Sequence, residues 1–104
     1  MEKKEIAMVG LEIVAYAGDA RTKLLNALKE AENGNFNVAE QMIEEANEFI
    51  LKAHQTQTKM LQAEAKGEDM EIGFIMVHGQ DHLMTTMLLR DLMKHFIQLY
   101  KRTR

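Results

Sequence analysis

From Ile72 to Tyr100 the chain is apolar nearly all the way round a helix, and this surplus constrains its fold more than any other feature. Ile75, Met76, Val77, Leu83, Met84, Met87, Leu88, Leu89, Leu92, Met93, Phe96 and Ile97 are its apolar residues. A helix of that kind is buried on more than one side. Strong helix formers supply 62 of the 104 residues, β-branched residues only 17, and proline is absent. That balance excludes an all-β sandwich or barrel. A three-helix monomer buries one face of each helix, so the excess apolar surface predicts packing of copies against one another, in a closed ring rather than an open chain.

Two further helices are expected before it. The first runs from about Lys4 to Glu32, with Ile6, Val9, Ile13, Tyr16, Ala20, Leu24, Ala27 and Ala31 on one face. Glu32-Asn33-Gly34-Asn35 stops it, with Gly34 suited to the left-handed conformation at a helix end. The second starts near Asn37, read as an N-cap with Glu40 three residues on. Its stripe is Ala39, Met42, Ile43, Ala46, Phe49, Ile50, Ala53 and Met60, and Glu48 to Lys52 is an expected ion pair. Lys66-Gly67-Glu68-Asp69 breaks it, and Glu68, Asp69 and Glu71 fall where the third helix is expected to begin. The terminal Lys101-Arg102-Thr103-Arg104 reads as a solvated, dipole-matched tail. Residues 1–104 therefore form a single all-α domain, an antiparallel three-helix bundle.

Several functions are excluded early. There is no cysteine, hence no disulfide, thiolate metal site or thiol catalysis. The uncharged stretch Ile72–Gln80 is nine residues long, short of a membrane span. A formal net charge of −3 argues against nucleic acid as a partner. With no signal-like opening, the expected location is cytoplasmic.

Within the apolar third helix, His78, Asp81, His82 and Thr85 stand at i, i+3, i+4 and i+7 and share one face. Burying such groups without partners is costly. The stripe admits three readings. It can be a polar seam that fixes helix register. It can be a metal site, because two histidines one turn apart can share an ion with Asp81 as third ligand. It can also hold a histidine nucleophile kept in one tautomer by its neighbours. Spacing does not separate the last two.

The run His78-Gly79-Gln80-Asp81-His82-Leu83-Met84-Thr85-Thr86 resembles the active-site segment of the enzyme IIA component of the lactose/cellobiose branch of the sugar phosphotransferase system. Glu12-Ile13-Val14-Ala15-Tyr16-Ala17-Gly18-Asp19-Ala20-Arg21 resembles the family's first-helix signature in its lactose-type form. Ala31-Glu32-Asn33-Gly34-Asn35-Phe36 resembles its first turn, and Leu99-Tyr100-Lys101-Arg102 its end. The resemblance implies a homotrimer. It also implies that His78 is phosphorylated at Nε2 by the phosphohistidine carrier protein HPr and passes the group to a cysteine of the IIB component. Sugar entering through the membrane IIC component is the final acceptor, with lactose favoured over other β-disaccharides. Asp81 matches the position where one carboxylate per subunit meets a structural Mg²⁺ on the threefold axis. The alternative is a non-catalytic metal-binding or oligomerisation module built on His78, Asp81 and His82.

Chemistry assigns further roles. His78 attacks as the neutral ring, and His82, one turn along, is the candidate donor to the phosphoryl group. Gln80 lies about 160° round from His82 on a helix and is expected to reach a neighbouring subunit's His78. His54 and His95 read as surface residues, and the nine methionines chiefly as core. Gly10 and Gly18 are expected to permit close helix approach, and Gly79 to open His78 to a partner or to mark a helix irregularity.

Overall fold

The computed structural model describes residues 1–103, and Arg104 of the basic tail lies outside them. Three helices account for most of the chain: α1 Lys3–Glu32, α2 Phe36–Ala65 and α3 Phe74–Arg102. Helices of about 30 residues run roughly 45 Å, and the molecule is a rod of 54 × 20 × 17 Å. The amino group of Met1 donates to the carbonyl of Asp69 at 2.7 Å, and the Tyr100 hydroxyl donates to Glu32 at 3.2 Å. These contacts join like ends of α1 and α3, so those two helices run parallel and α2 runs against both. Desolvation, then the hydrogen bond and charge of Glu32, raise the Tyr100 phenol above its usual pKa.

α1 is the middle helix. It packs along both neighbours, whereas α2 and α3 meet only sparsely. Its buried face is Ile6, Gly10, Ile13, Ala17, Ala20, Leu24, Ala27 and Ala31. Val9 and Tyr16 of the expected stripe are only half-buried. Small residues dominate, so the flanking helices come in close. On α2 the buried set is Ala39, Ala46, Ile50 and Ala53, all on the expected stripe.

The boundaries differ from expectation in instructive ways. Gly34 ends α1 with φ at 82°, the left-handed region that glycine enters without steric cost. The N-cap of α2 is Asn35, not Asn37, and its side chain turns back to donate to Glu30 at 2.8 Å. A short turn leaves no residues to spare, so α2 is already helical at Phe36. Gly73 caps α3, and Glu68, Asp69 and Glu71 precede that helix rather than filling its first turn. Glu68 instead lies 3.9 Å from the Met1 ammonium, which ties the linker across the start of α1. Among the described residues, Glu48 and Lys52 form no ion pair. The Lys52 ammonium lies over the Tyr16 ring, 5.7 Å from its centroid, linking α2 to α1. Lys101 does likewise over Phe36 at 5.3 Å and reaches Glu40 at 3.7 Å.

α3 buries Met76, Gly79, Leu83, Thr86, Met93 and Ile97. Its opposite side leaves Val77, Met84, Leu88, Leu92 and Leu99 exposed. The single chain thus leaves one apolar side of α3 uncovered. Met76 and Met93 are buried, and Met1, Met42, Met60, Met70 and Met87 are half-buried against the core, so the methionines are chiefly core as expected, with Met8 and Met84 exposed.

Candidate functional site

The site starts from a backbone contact. A Cβ on Gly10 would lie 2.9 Å from the Met76 Cα, and one on Gly79 would lie 3.0 Å from the Gly10 carbonyl oxygen. α1 and α3 therefore cross with only glycine between them. Gly79 serves this crossing and does not interrupt α3, which is continuous there. Gly18 has open space around it, so it plays no part in helix approach.

Turning one residue from buried Gly79 brings His78 to the surface. Its ring meets that of His82 edge-on, with centroids 5.9 Å apart and planes at 80°. His82 is half-buried, and its Nδ1 is fully buried with no hydrogen-bond partner. An N–H there would have no acceptor, so the lone pair belongs on Nδ1 and the proton on Nε2. Nε2 is then the donor nitrogen of His82. The Thr85 hydroxyl is occupied, donating to the backbone carbonyls of Asp81 at 2.8 Å and His82 at 3.2 Å. Thr86, its neighbour, is buried with its hydroxyl unpartnered.

His78, Asp81, His82 and Thr85 line one open groove of about 210 Å³, and the fifth residue lining it is Arg21 from α1. The expected stripe thus lines one side of a shallow, open depression. Arg21 was not singled out from sequence, because the pairing of α1 with α3 brings together residues far apart in the chain. Gln80 faces elsewhere. Its amide oxygen accepts from Gln57 on α2, and its nitrogen donates to the Met76 sulfur at 3.5 Å. His54 and His95 are exposed, as expected, and line no part of the cleft.

Asp81 is exposed and follows Val77 in the outward run Val77, Asp81, Met84, Leu88, where it is the single charge. Among the described residues its carboxylate makes no ion pair or hydrogen bond. A lone carboxylate in an apolar seam fits a divalent ion if copies of the seam meet, because oxygen donors from several chains suit a hard cation. Within one chain, and among the described residues, no three His, Cys, Asp or Glu side chains converge so as to hold a metal. A chelate of His78, Asp81 and His82 in a single subunit is not formed.

Comparison with known proteins gives a consistent picture. Residues 8–101 match the model of the family described as the lactose/cellobiose-specific IIA subunit of the phosphotransferase system. The chain is 60% identical over 102 residues to the lactose-specific EIIA component of Staphylococcus epidermidis, covering 98% of each. The crystal structure of PtcA from S. mutans superposes with a TM-score of 0.93 at 44% identity, covering 97% of this chain and 99% of that one. IIA(Chitobiose) of Escherichia coli, solved in complex with HPr, gives 0.77 at 33% identity, covering 99% and 97%. Among the described residues, no helix is long and apolar enough to cross a membrane.

Proposed function

Since the chain belongs to the lactose/cellobiose-specific IIA family of the sugar phosphotransferase system, we propose that it carries phosphoryl groups on His78. The donor is HPr, and the acceptor is a cysteine of the IIB component that serves lactose uptake. The observation that carries this reading is an exposed imidazole one residue from a rigid backbone crossing, beside a half-buried histidine, in an open groove. Solution of an E. coli relative with HPr supports the choice of donor, and the lactose-specific relative supports the sugar. The work is done at the cytoplasmic side, where both partners meet it.

The chemistry follows from the side chains. The lone pair of His78 Nε2 forms the new P–N bond as the P–N bond of the donor phosphohistidine breaks. The bonding pair returns to the donor ring, which regains the proton that the His78 ring gives up at its other nitrogen. Charge balances, and neither ring leaves as a high-energy anion. His82 Nε2–H donates to a phosphoryl oxygen. Gln80 assists a neighbouring subunit's His78, exchanging its bond to Gln57 for one across the interface. Mixed trimers of Gln80→Ala and His78→Ala chains test this last role, since absence of a complementation pattern removes it.

The working form is a homotrimer in which the outward face of α3 is covered by its copies. Its three Asp81 carboxylates would hold one Mg²⁺ on the threefold axis. That ion supplies charge neutralisation and no reaction step.

A direct test of the carrier role is incubation with phosphoenolpyruvate, enzyme I and HPr, read by intact mass. A gain of one phosphoryl group per chain, lost in His78→Ala, is the expected result. Equal phosphorylation of His78→Ala would refute the reading.

A further inference from the structure

We propose that Arg21 is a catalytic residue, a guanidinium clamp that holds the phosphoryl group over His78. This rests on the carrier function argued above and adds the cation that the function lacks.

A phosphoryl group in transit carries close to two negative charges, and it enters a groove that already holds the Asp81 carboxylate. Of the five residues lining that groove, Arg21 alone bears a permanent positive charge. The buried Nδ1 of His82 has no hydrogen-bond partner within the chain, which leaves Nε2 as its donor nitrogen. Thr85 has its proton committed to backbone carbonyls. The donors already named therefore supply hydrogen bonds but no permanent countercharge.

Arg21 is free to supply it. It is exposed, and among the described residues its guanidinium makes no hydrogen bond or ion pair, not even with Asp81. Its planar fork is therefore available to a phosphoryl group, whose oxygens it matches in two-point contact. The same side chain also lines the adjoining depression with Leu25, Thr85, Thr86 and Leu89. Thr86 lines this depression and His82 the groove, and the buried Thr86 hydroxyl and His82 Nδ1 make no hydrogen bond within the chain.

In the transfer, Arg21 neither gives nor takes a proton. Its N–H groups donate to two non-bridging oxygens of the group while the new bond to His78 Nε2 forms and the old P–N bond breaks. Charge that gathers on those oxygens is thus met as it develops.

The test compares wild type, Arg21→Gln and Arg21→Lys as full-length assembled proteins, charged by HPr phosphorylated with enzyme I and phosphoenolpyruvate. Rapid-quench kinetics give kcat and the KM for phospho-HPr, and the phosphorus resonance of phospho-His78 reports its surroundings. Loss of one charge-assisted donor is expected to lower kcat about ten- to hundredfold in Arg21→Gln and to move the phosphorus resonance. Arg21→Lys, which keeps the charge and loses the fork, falls between them. Melting temperature is expected to hold, because the side chain is exposed and makes no hydrogen bond or ion pair among the described residues. A kcat within twofold of wild type overturns the proposal. So does a raised KM with kcat and the resonance unmoved, which makes Arg21 a docking contact. Either result leaves the carrier function standing if wild type is still phosphorylated at His78, whereas phosphorylation of His78→Ala would remove both.

Discussion

The two faces of α3 carry similar hydrophobicity and opposite fates. Inward, Leu83, Met93 and Ile97 are almost fully buried against α1 and α2, with Gly79 and Thr86 between them. Outward, Leu88 is 59% exposed, with Val77, Met84, Leu92 and Leu99 in the same condition. The inward face explains how one chain folds. The outward face is intelligible only if something covers it, because an apolar stripe of that length marks an interaction surface. His78 and His82 sit on the border, where one side is fixed by packing and the other is open. A reactive group gains both rigidity and access there.

Matched truncations test the contrast most strongly. Leu83→Ala should cost about 2–5 kcal/mol of folding stability, seen as a lower urea midpoint, because a fully buried side chain leaves a cavity. Leu88→Ala should change the folding of one chain by no more than about 0.5 kcal/mol. Its effect should appear in sedimentation, as dissociation at concentrations where wild type stays assembled. Equal loss of folding stability in both would break the distinction between the faces.

Asp81→Leu sharpens it next. Three clustered carboxylates without a cation repel by several kcal/mol in a poorly solvated seam. Chelator should therefore loosen the wild-type assembly and leave the leucine variant trimeric. Monomers of Asp81→Leu in sedimentation would contradict the proposed axis.

A smaller effect is expected at the crossing. Gly10→Ala gains about 1 kcal/mol of helix propensity, yet its methyl would lie 2.9 Å from the Met76 Cα. Backbone cannot yield as a side-chain tip does, so overpacking of about 1–3 kcal/mol should prevail. A melting temperature above wild type would show that the helices part easily. The slightest change is Thr86→Val, which removes a buried hydroxyl that has no partner. Stability should hold or rise by up to about 1 kcal/mol in denaturant titration. A clear loss would reveal a hydrogen bond made by that hydroxyl in the assembly.

Much of this was legible beforehand, for reasons of period. The stripe of α1 and the shared face of His78, Asp81, His82 and Thr85 follow from helical geometry, which is local. What escaped was set by neighbours in space. Asn37 offered a cap as plausible as Asn35, and only the tightness of the turn decides between them. Gly79 reads as a weakness in α3 until Gly10 is seen opposite. Lys52 pairs with Tyr16 of another helix and not with Glu48 of its own. Arg21 lies 57 positions before His78 in the sequence, and no periodicity links residues across two helices.

The glycine crossing has a consequence for traffic through the site. A ring mounted next to the tightest pivot of the rod has no arm on which to swing. On the proposed carrier role, donor and acceptor would come to it by turns over one shared footprint, each leaving before the other lands.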